Sequence, residues 1–185
     1  MIKAFPGLTV ETSKLDVGAS QTLFEGLFAA GGITLSQLCS LTGLEGYVIQ
    51  NWIKRRFVAP PKGRMYGKEH LAVIALINLL RDTLQIERIC SFVSFVQGVP
   101  NDKSDDLCGF EELYHGYVDL IADGFPAVDD PEAVKGAARL AAERMHASDP
   151  QTQKKLQKVY EVMLYAHAAS LYRRVAEEKL SHMDI

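Results

Sequence analysis

Residues 35–80 have the sequence LSQLCSLTGLEGYVIQNWIKRRFVAPPKGRMYGKEHLAVIALINLL. Apolar positions recur with a helical period up to residue 55, and prolines and glycines interrupt that period between residues 57 and 67. An almost wholly apolar segment then begins at residue 68. The pattern predicts two short helices, a hairpin or loop, and a buried helix, in that order.

The second of these helices, residues 45–55, is predicted to be amphipathic. The 3.6-residue period places Tyr47, Gln50, Asn51 and Lys54 on one face and Val48, Ile49, Trp52 and Ile53 on the other. The polar face carries donors and acceptors suited to base edges, on a helix of about the length that fits a major groove. Trp52 is predicted to be a core anchor, whereas Tyr47 could serve base contact or surface packing.

The shorter helix before it is predicted to begin at Thr34 and to run to residue 39 or 40. Thr34 suits the N-cap position, and Gln37 three residues later completes a capping box. A turn containing Gly43 then leads into the second helix. This arrangement indicates a helix-turn-helix, although many helical hairpins share the spacing.

Charge is unevenly distributed along the chain. Residues 45–68 contain six basic residues and one acidic residue, a net charge of +5, which leaves −8 for the remainder of a chain whose total is −3. Lys62 and Arg64 lie in the Pro- and Gly-bounded loop, where a wing could contact a phosphate. Chance clustering is the alternative, and Arg55 and Arg56 at a helix end also suit the helix dipole.

The whole stretch resembles the head of MerR-family regulators: a helix-turn-helix, a basic or aromatic turn, a Pro-containing wing, an Arg-x-Tyr and a following helix. Within that family, QNWIKRRFVAPPKGRMY and the later NDKSDD resemble an uncharacterised bacterial domain of unknown function with a MerR-like fold, over about residues 32–122. The residues expected to contact DNA are Tyr47, Gln50, Asn51, Lys54, Arg55, Arg56, Lys62, Arg64 and Tyr66.

The chain departs from the MerR pattern in two places. The usual arginine in the middle of the recognition helix is replaced by Gln50 or Asn51, so the operator sequence does not follow from the resemblance. Typical members dimerise through one long helix, whereas three helices are predicted after residue 107. A homodimer is expected, and packing of residues 151–182 within their own chain is the alternative to a role between subunits.

The predicted fold class is all-α, a MerR-like winged helix-turn-helix followed by a C-terminal helical bundle. Residues 1–32 form an arm and an amphipathic helix (20–30), residues 33–99 the winged head, and residues 100–185 the dimerisation or effector region. The further helices are predicted at 68–80, 86–96, 107–123, 131–146 and 151–182, with Asp105 or Asp106 as N-cap after the acidic linker 101–106. Phe110, Tyr114, Tyr117 and Phe125 could line a pocket for a small-molecule effector, with core packing as the favoured alternative.

The sequence predicts a cytoplasmic protein without a cofactor or a metal. No apolar run reaches the ~20 residues of a membrane span, and no signal peptide is apparent at the N-terminus. Three unpaired cysteines and dispersed histidines lack metal-ligand spacing. No catalytic motif is found: Glu111, Glu112 and His115 are expected on a solvated helix face, so no enzyme activity is predicted. The rival to a DNA-binding regulator is a protein-interaction module on a winged-helix fold.

Overall fold

The computed structural model describes residues 3–98, 106–145, 147 and 149–183. Helices dominate this part of the chain, and its strands are two short segments at the N-terminus. In chain order the elements are β1 (Lys3–Ala4), β2 (Glu11–Thr12), α1 (Ala19–Leu27), α2 (Leu35–Thr42), α3 (Gly46–Lys54), α4 (Lys68–Leu80), α5 (Ile86–Gln97), α6 (Phe110–Asp123), α7 (Pro131–Arg144) and α8 (Pro150–Ser181). The expectation of a mainly helical protein is confirmed.

The helix expected at 107–123 begins three residues later than predicted. Gly109 is the N-cap of α6, and the first backbone N–H groups of the helix are bound by Glu69 of α4. The N-capping role expected of Asp106 is therefore wrong. Asp105 and most of the acidic linker lie outside the described residues.

The N-terminal arm folds into a small hairpin that docks on α4. β1 pairs with β2 in antiparallel register, with Lys3 opposite Thr12 and Ala4 opposite Glu11. Gly7 lies in the turn at a φ of 71°, and a Cβ there would collide with the carbonyl group of Ala75. The hairpin is thereby placed directly against the central helix.

Asn78 joins three segments at this point. Its side-chain amide donates to the carbonyl oxygen of Gly7 at 2.8 Å and to that of Thr42 at 2.9 Å. The polar residue that interrupts the apolar run of α4 therefore has a structural role, because it satisfies backbone groups of both the hairpin and α2.

One apolar core includes side chains from the N-terminal hairpin to α8. α4 lies at its centre, with every residue from Leu71 to Ile77 buried, and it packs against α2, α6 and α8. α7 packs along α8, and α1 packs on α6. The segments 1–32, 33–98 and the C-terminal helices thus share a common core.

α8 extends beyond that core. The helix has 32 residues, a length of about 48 Å at 1.5 Å per residue. Its first two turns and its middle are amphipathic, with Tyr160, Met163 and Leu164 fully buried. From Leu171 to Met183 every position is exposed.

Candidate nucleic-acid interface

The helix pair α2–α3 is held by local signals that the sequence contains. The Thr34 hydroxyl accepts from the Gln37 backbone N–H, and the Gln37 side-chain oxygen accepts from the Thr34 backbone N–H at 2.8 Å. The predicted capping box is confirmed. Gly43 ends α2 at a φ of 68°, a left-handed conformation that glycine adopts readily, and the chain turns there into α3.

α3 divides into an exposed polar face and a buried apolar face. Tyr47 is 70% exposed, and Gln50, Asn51 and Lys54 are also exposed. Ile49 has no exposed surface and Trp52 has only 6%. The predicted alternation is confirmed, and Trp52 is a core residue.

Basic side chains at the end of α3 and directly after it extend this exposed face. Lys54, Arg55 and Arg56 are exposed, and Arg56 has a φ of 64°, which redirects the chain out of the helix. Among the described residues none of these three cations forms a salt bridge. Their charges are available to an external anion.

The loop from residue 57 to residue 66 contains two isolated antiparallel bridges, one within the loop and one, between Tyr66 and Ile33, that returns it to the start of α2. Lys62 pairs with Met65 around a tight turn in which Gly63 and Arg64 both have positive φ, 57° and 65°. This combination is that of a primed hairpin turn. The tip of the loop presents Lys62 and Arg64, both exposed and both without a salt bridge in the described structure.

Tyr66 is the exception among the residues expected to contact DNA. It is only 4% exposed, because its backbone pairs with Ile33 in both directions at 2.8 Å and its ring packs edge-on against His70. Burial raises the pKa of its hydroxyl. The expectation that Tyr66 contacts DNA is therefore wrong, and the residue anchors the base of the loop in the core.

Three of the four aromatic residues considered for an effector pocket lie in the core, and Phe110, which is 6% exposed, is one of them. Tyr114 has no exposed surface, and its hydroxyl donates to the carbonyl oxygen of Pro6 at 2.9 Å. Tyr117 is equally buried, and its hydroxyl oxygen lies 2.9 Å from His167 Nδ1. Burial raises the pKa of both hydroxyls. The favoured alternative of core packing therefore describes Phe110, Tyr114 and Tyr117, whereas Phe125 is 36% exposed.

His115 is buried, whereas the sequence predicted it on a solvated helix face. Its Nδ1 lies 2.8 Å from the Ser20 hydroxyl oxygen of α1, and its Nε2 lies 3.7 Å from Glu111 Oε1. Burial lowers the pKa of this histidine, against the opposing effect of Glu111. The order Ser–His–Glu resembles a catalytic triad, but Ser20 has no exposed surface and cannot meet a substrate. The group joins α1 to α6.

Thiols and metal ligands add no second site within the described residues. Cys39, Cys90 and Cys108 are free, and burial raises the pKa of each thiol, that of Cys108 to about 12. No group of three or more histidine, cysteine or acidic side chains could hold a metal ion in the described ranges. No described helix is long and apolar enough to cross a membrane.

Comparisons with known proteins place a family match on this region. Residues 34–117, from the N-cap of α2 into α6, match the family model described as Domain of unknown function (DUF1836). An uncharacterized protein of Bacillus subtilis (strain 168), YkrK, is 29% identical over 79 residues, which cover 40% of this chain and 34% of the relative. The chain thus spans about a third of the length of the curated relative it matches.

These matches confirm the resemblance to a domain of unknown function. No solved structure matches the chain significantly. The family description and the name of the relative assign no activity.

Proposed function

We propose that this chain is a DNA-binding transcription regulator that acts in the bacterial cytoplasm through a MerR-type winged helix-turn-helix. In this proposal α2 supports α3, α3 enters the major groove, and the loop at 57–66 is the wing. The observation that carries the proposal is the exposed polar face of α3, continued by basic side chains without salt bridges among the described residues. Such a face offers both base readout and phosphate contact.

The size of α3 suits this role. Nine residues give a helix of about 13 Å, and Tyr47, Gln50, Asn51 and Lys54 follow one another along its exposed side. Glutamine and asparagine side chains can pair with adenine through two hydrogen bonds. Gln50 and Asn51 are assigned to base recognition, with Tyr47 packing on the groove wall.

The charge pattern supports a second set of contacts. Lys54, Arg55 and Arg56 at the end of α3 and Lys62 and Arg64 on the loop tip lie in the basic segment of an otherwise acidic chain. Acidic surfaces elsewhere would be repelled by a polyanion, so the charge asymmetry favours one orientation on the duplex. We assign these five residues to phosphate contacts.

Salt-dependent binding to duplex DNA tests the proposal. A fluorescent 30-base-pair duplex is titrated at several salt concentrations, and the logarithm of the association constant is expected to fall linearly with the logarithm of salt concentration. The double variant Lys62→Ala/Arg64→Ala is expected to reduce the slope by about 2, roughly one per lost phosphate contact. A matched control removes two exposed charges from α7, Lys135→Ala/Arg139→Ala, and is expected to leave the slope unchanged.

Selection of bound fragments tests base recognition. Gln50→Ala or Asn51→Ala is expected to change discrimination between sites by roughly 1–3 kcal/mol, while the wing variants weaken binding to all sites alike. Tyr66→Phe serves as the buried control and is expected to preserve the selected sequence. If the wing and α7 double variants changed the salt dependence of DNA binding equally, the assignment of Lys62 and Arg64 to phosphate contacts would be contradicted. If the protein did not bind DNA even at low salt, the protein-interaction module would be favoured instead.

The proposed regulator acts as a homodimer through one face of α8. Val162, Tyr165, Ala169, Tyr172 and Ala176 follow at alternating spacings of three and four residues, and all five are exposed. This spacing is the seam of a helix pair, and Ala169 at its middle permits close approach of a second helix. A two-fold axis here would present two copies of α3 to a pseudo-palindromic site.

Light scattering after size-exclusion chromatography measures the mass of the assembly. The wild-type chain is expected to have twice the monomer mass, and Tyr165→Glu/Tyr172→Glu is expected to be a monomer because charge on the seam opposes its burial. Leu171→Glu places one negative charge on the opposite side of α8 and is expected to remain a dimer. If Tyr165→Glu/Tyr172→Glu were still a dimer, the dimer contact would lie on another part of the chain.

A further inference from the structure

The exposed face of α3 carries no charge before its last position. Residues 46–53 are all uncharged, and Lys54 is the first basic residue of the helix. The exposed side chains within 46–53 are Tyr47, Gln50 and Asn51. In helix-turn-helix complexes the residues toward the N-terminus of the second helix contact the base edges, and the helix is anchored by phosphate contacts. Base readout by α3 therefore depends on one phenol and two carboxamides.

The two carboxamides lie on either side of a line that joins Tyr47 to Lys54. Successive residues of an α-helix are about 100° apart around its axis, so Gln50 and Asn51 diverge by that angle with Tyr47 and Lys54 between them. On the opposite side of the helix Ile49 and Trp52 are buried, which fixes the direction of the exposed face. The two carboxamides can therefore reach different base positions in one groove.

Neither carboxamide is engaged within the protein. The side chains of Gln50 and Asn51 form no hydrogen bond with any residue that the structure describes. Asn78 shows the contrast, because its amide is committed to two backbone carbonyl oxygens. A free carboxamide has both an acceptor oxygen and a donor nitrogen to offer. Both functions of Gln50 and Asn51 are available to a base.

One base matches a carboxamide in the major groove. Adenine presents an acceptor, N7, beside a donor, the N6 amino group, and a carboxamide can pair with both at once. Guanine presents two acceptors, N7 and O6, so the carboxamide oxygen would face an acceptor. Cytosine presents only a donor there, and thymine an acceptor and a methyl group. Two hydrogen bonds to one base are therefore gained at adenine.

We infer that the operator contains, for each copy of α3, two A·T base pairs whose adenines are read in the major groove by Gln50 and Asn51. This inference rests on the proposed function and adds the identity of the bases. Guanine, whose usual partners are arginine and lysine, is not selected at these two positions, because the cations lie at the end of the helix and beyond it.

Selection from a random library of 30-base-pair duplexes with the full-length protein locates the two positions. The selection is repeated with Gln50→Ala and with Asn51→Ala, and each variant is expected to lose the preference at one base pair. Both base pairs identified in this way are expected to be A·T. Glu45→Gln, at the exposed N-cap of α3, is the control and is expected to leave the preference at both positions unchanged.

Modified bases then separate readout in the major groove from readout in the minor groove. An inosine·cytosine pair keeps the minor-groove edge of A·T but presents the major-groove edge of G·C, and is expected to weaken binding about 10-fold or more. Replacing adenine by 2,6-diaminopurine keeps its major-groove edge and adds the minor-groove amino group of guanine, and is expected to change affinity by less than about 3-fold. Replacing adenine by 7-deazaadenine removes N7, and is expected to weaken binding about 5-fold.

A change of preference tests the assignment without relying on a loss. Gln50→Arg supplies the usual partner of guanine at the position that Gln50 reads. The variant is expected to bind the duplex with inosine·cytosine at that position more tightly than the A·T duplex, which is the reverse of the wild-type order. An unchanged order in the folded variant would show that residue 50 does not read this base pair.

Two further results would overturn the inference. One is a G·C pair at a position whose preference is lost in Gln50→Ala or Asn51→Ala. The other is tolerance of inosine·cytosine together with weakened binding to 2,6-diaminopurine, which would place the readout in the minor groove. In both cases salt-dependent binding to duplex DNA would persist, so the proposed function would stand. Absence of binding to every duplex at low salt would overturn both the inference and the proposed function.

Discussion

Burial affects the pKa of two histidines, His115 and His167, more than neighbouring charge does. His167 of α8 packs between Tyr117, whose hydroxyl oxygen lies 2.9 Å from Nδ1, and the ring of Phe125. Burial, with a smaller contribution from Arg174, lowers the pKa of His167 to about 4. The ring is therefore neutral in the folded protein at neutral pH.

The stability of the fold should decline in mild acid because of His167. In the unfolded chain a histidine titrates near 6.5, so the unfolded state binds the proton first and stability is lost as the pH falls from about 6.5 toward 4. Between pH 7.5 and pH 5 the expected loss is about 2 kcal/mol. Urea denaturation at the two pH values measures it.

His167→Gln is the matching variant, because glutamine is polar and does not titrate. Its unfolding free energy is expected to change by about 2 kcal/mol less than that of wild type over the same pH range. His115, whose pKa burial also lowers, remains in both proteins and contributes equally. Identical pH dependence of the two proteins would show that His167 is not the titrating group.

At the scale of elements, α4 and α6 are joined by a helix cap that comes from a distant part of the chain. Glu69 in the first turn of α4 supplies both oxygens to the N-terminus of α6, 41 and 42 residues away. The carboxylate satisfies two otherwise unpaired N–H groups and interacts favourably with the positive end of the helix dipole. The cap also fixes the position of Phe110 at the start of α6.

Loss of this cap should destabilise the protein. Glu69→Ala is expected to lower the free energy of unfolding by about 1–3 kcal/mol, since two hydrogen bonds to a charged acceptor are lost. Glu69→Gln, which retains one acceptor oxygen, is expected to lose less. Glu87→Ala, an exposed acidic residue in the first turn of α5, is the control and is expected to change stability by less than about 0.5 kcal/mol. Equal losses for Glu69→Ala and Glu87→Ala in urea denaturation would contradict the cap.

The whole molecule is organised around α4, which contacts the N-terminal hairpin, α2 and the C-terminal helices α6 and α8. Tyr114 of α6 donates to the N-terminal hairpin, and Asp82, after α4, pairs with Arg173 of α8 at 3.3 Å. Long-range contacts of this kind cross the segment boundaries that the sequence suggested at residues 33 and 100. The parts are therefore expected to unfold together.

We therefore predict that the whole chain unfolds in a single cooperative transition. Trp52 is the one tryptophan of the chain and lies in α3, so its fluorescence reports on the head. Far-ultraviolet circular dichroism reports on all the helices, including α6, α7 and α8. The two urea midpoints are expected to coincide, because a shared core couples the parts. An earlier fluorescence transition would show that the head unfolds independently.

The sequence by itself determined the helices, their order and the two faces of α3, but not the N-terminal hairpin of β1 and β2. Helical periodicity and capping depend on residues three or four apart, so the box of Thr34 and Gln37 and the polar stripe of α3 were predictable. The basic character of the loop tip was equally local. Most of the candidate interface, apart from Tyr66, followed from these patterns.

Only the tertiary structure decided which polar and aromatic groups are buried. Tyr66 pairs with Ile33, Asn78 with Gly7, and Glu69 with Phe110, contacts between residues 33 to 71 positions apart. No local period encodes such pairs, because packing of distant segments selects them. The same packing buries His70 Nε2 without a hydrogen-bond partner among the described residues, which no local sequence pattern predicts.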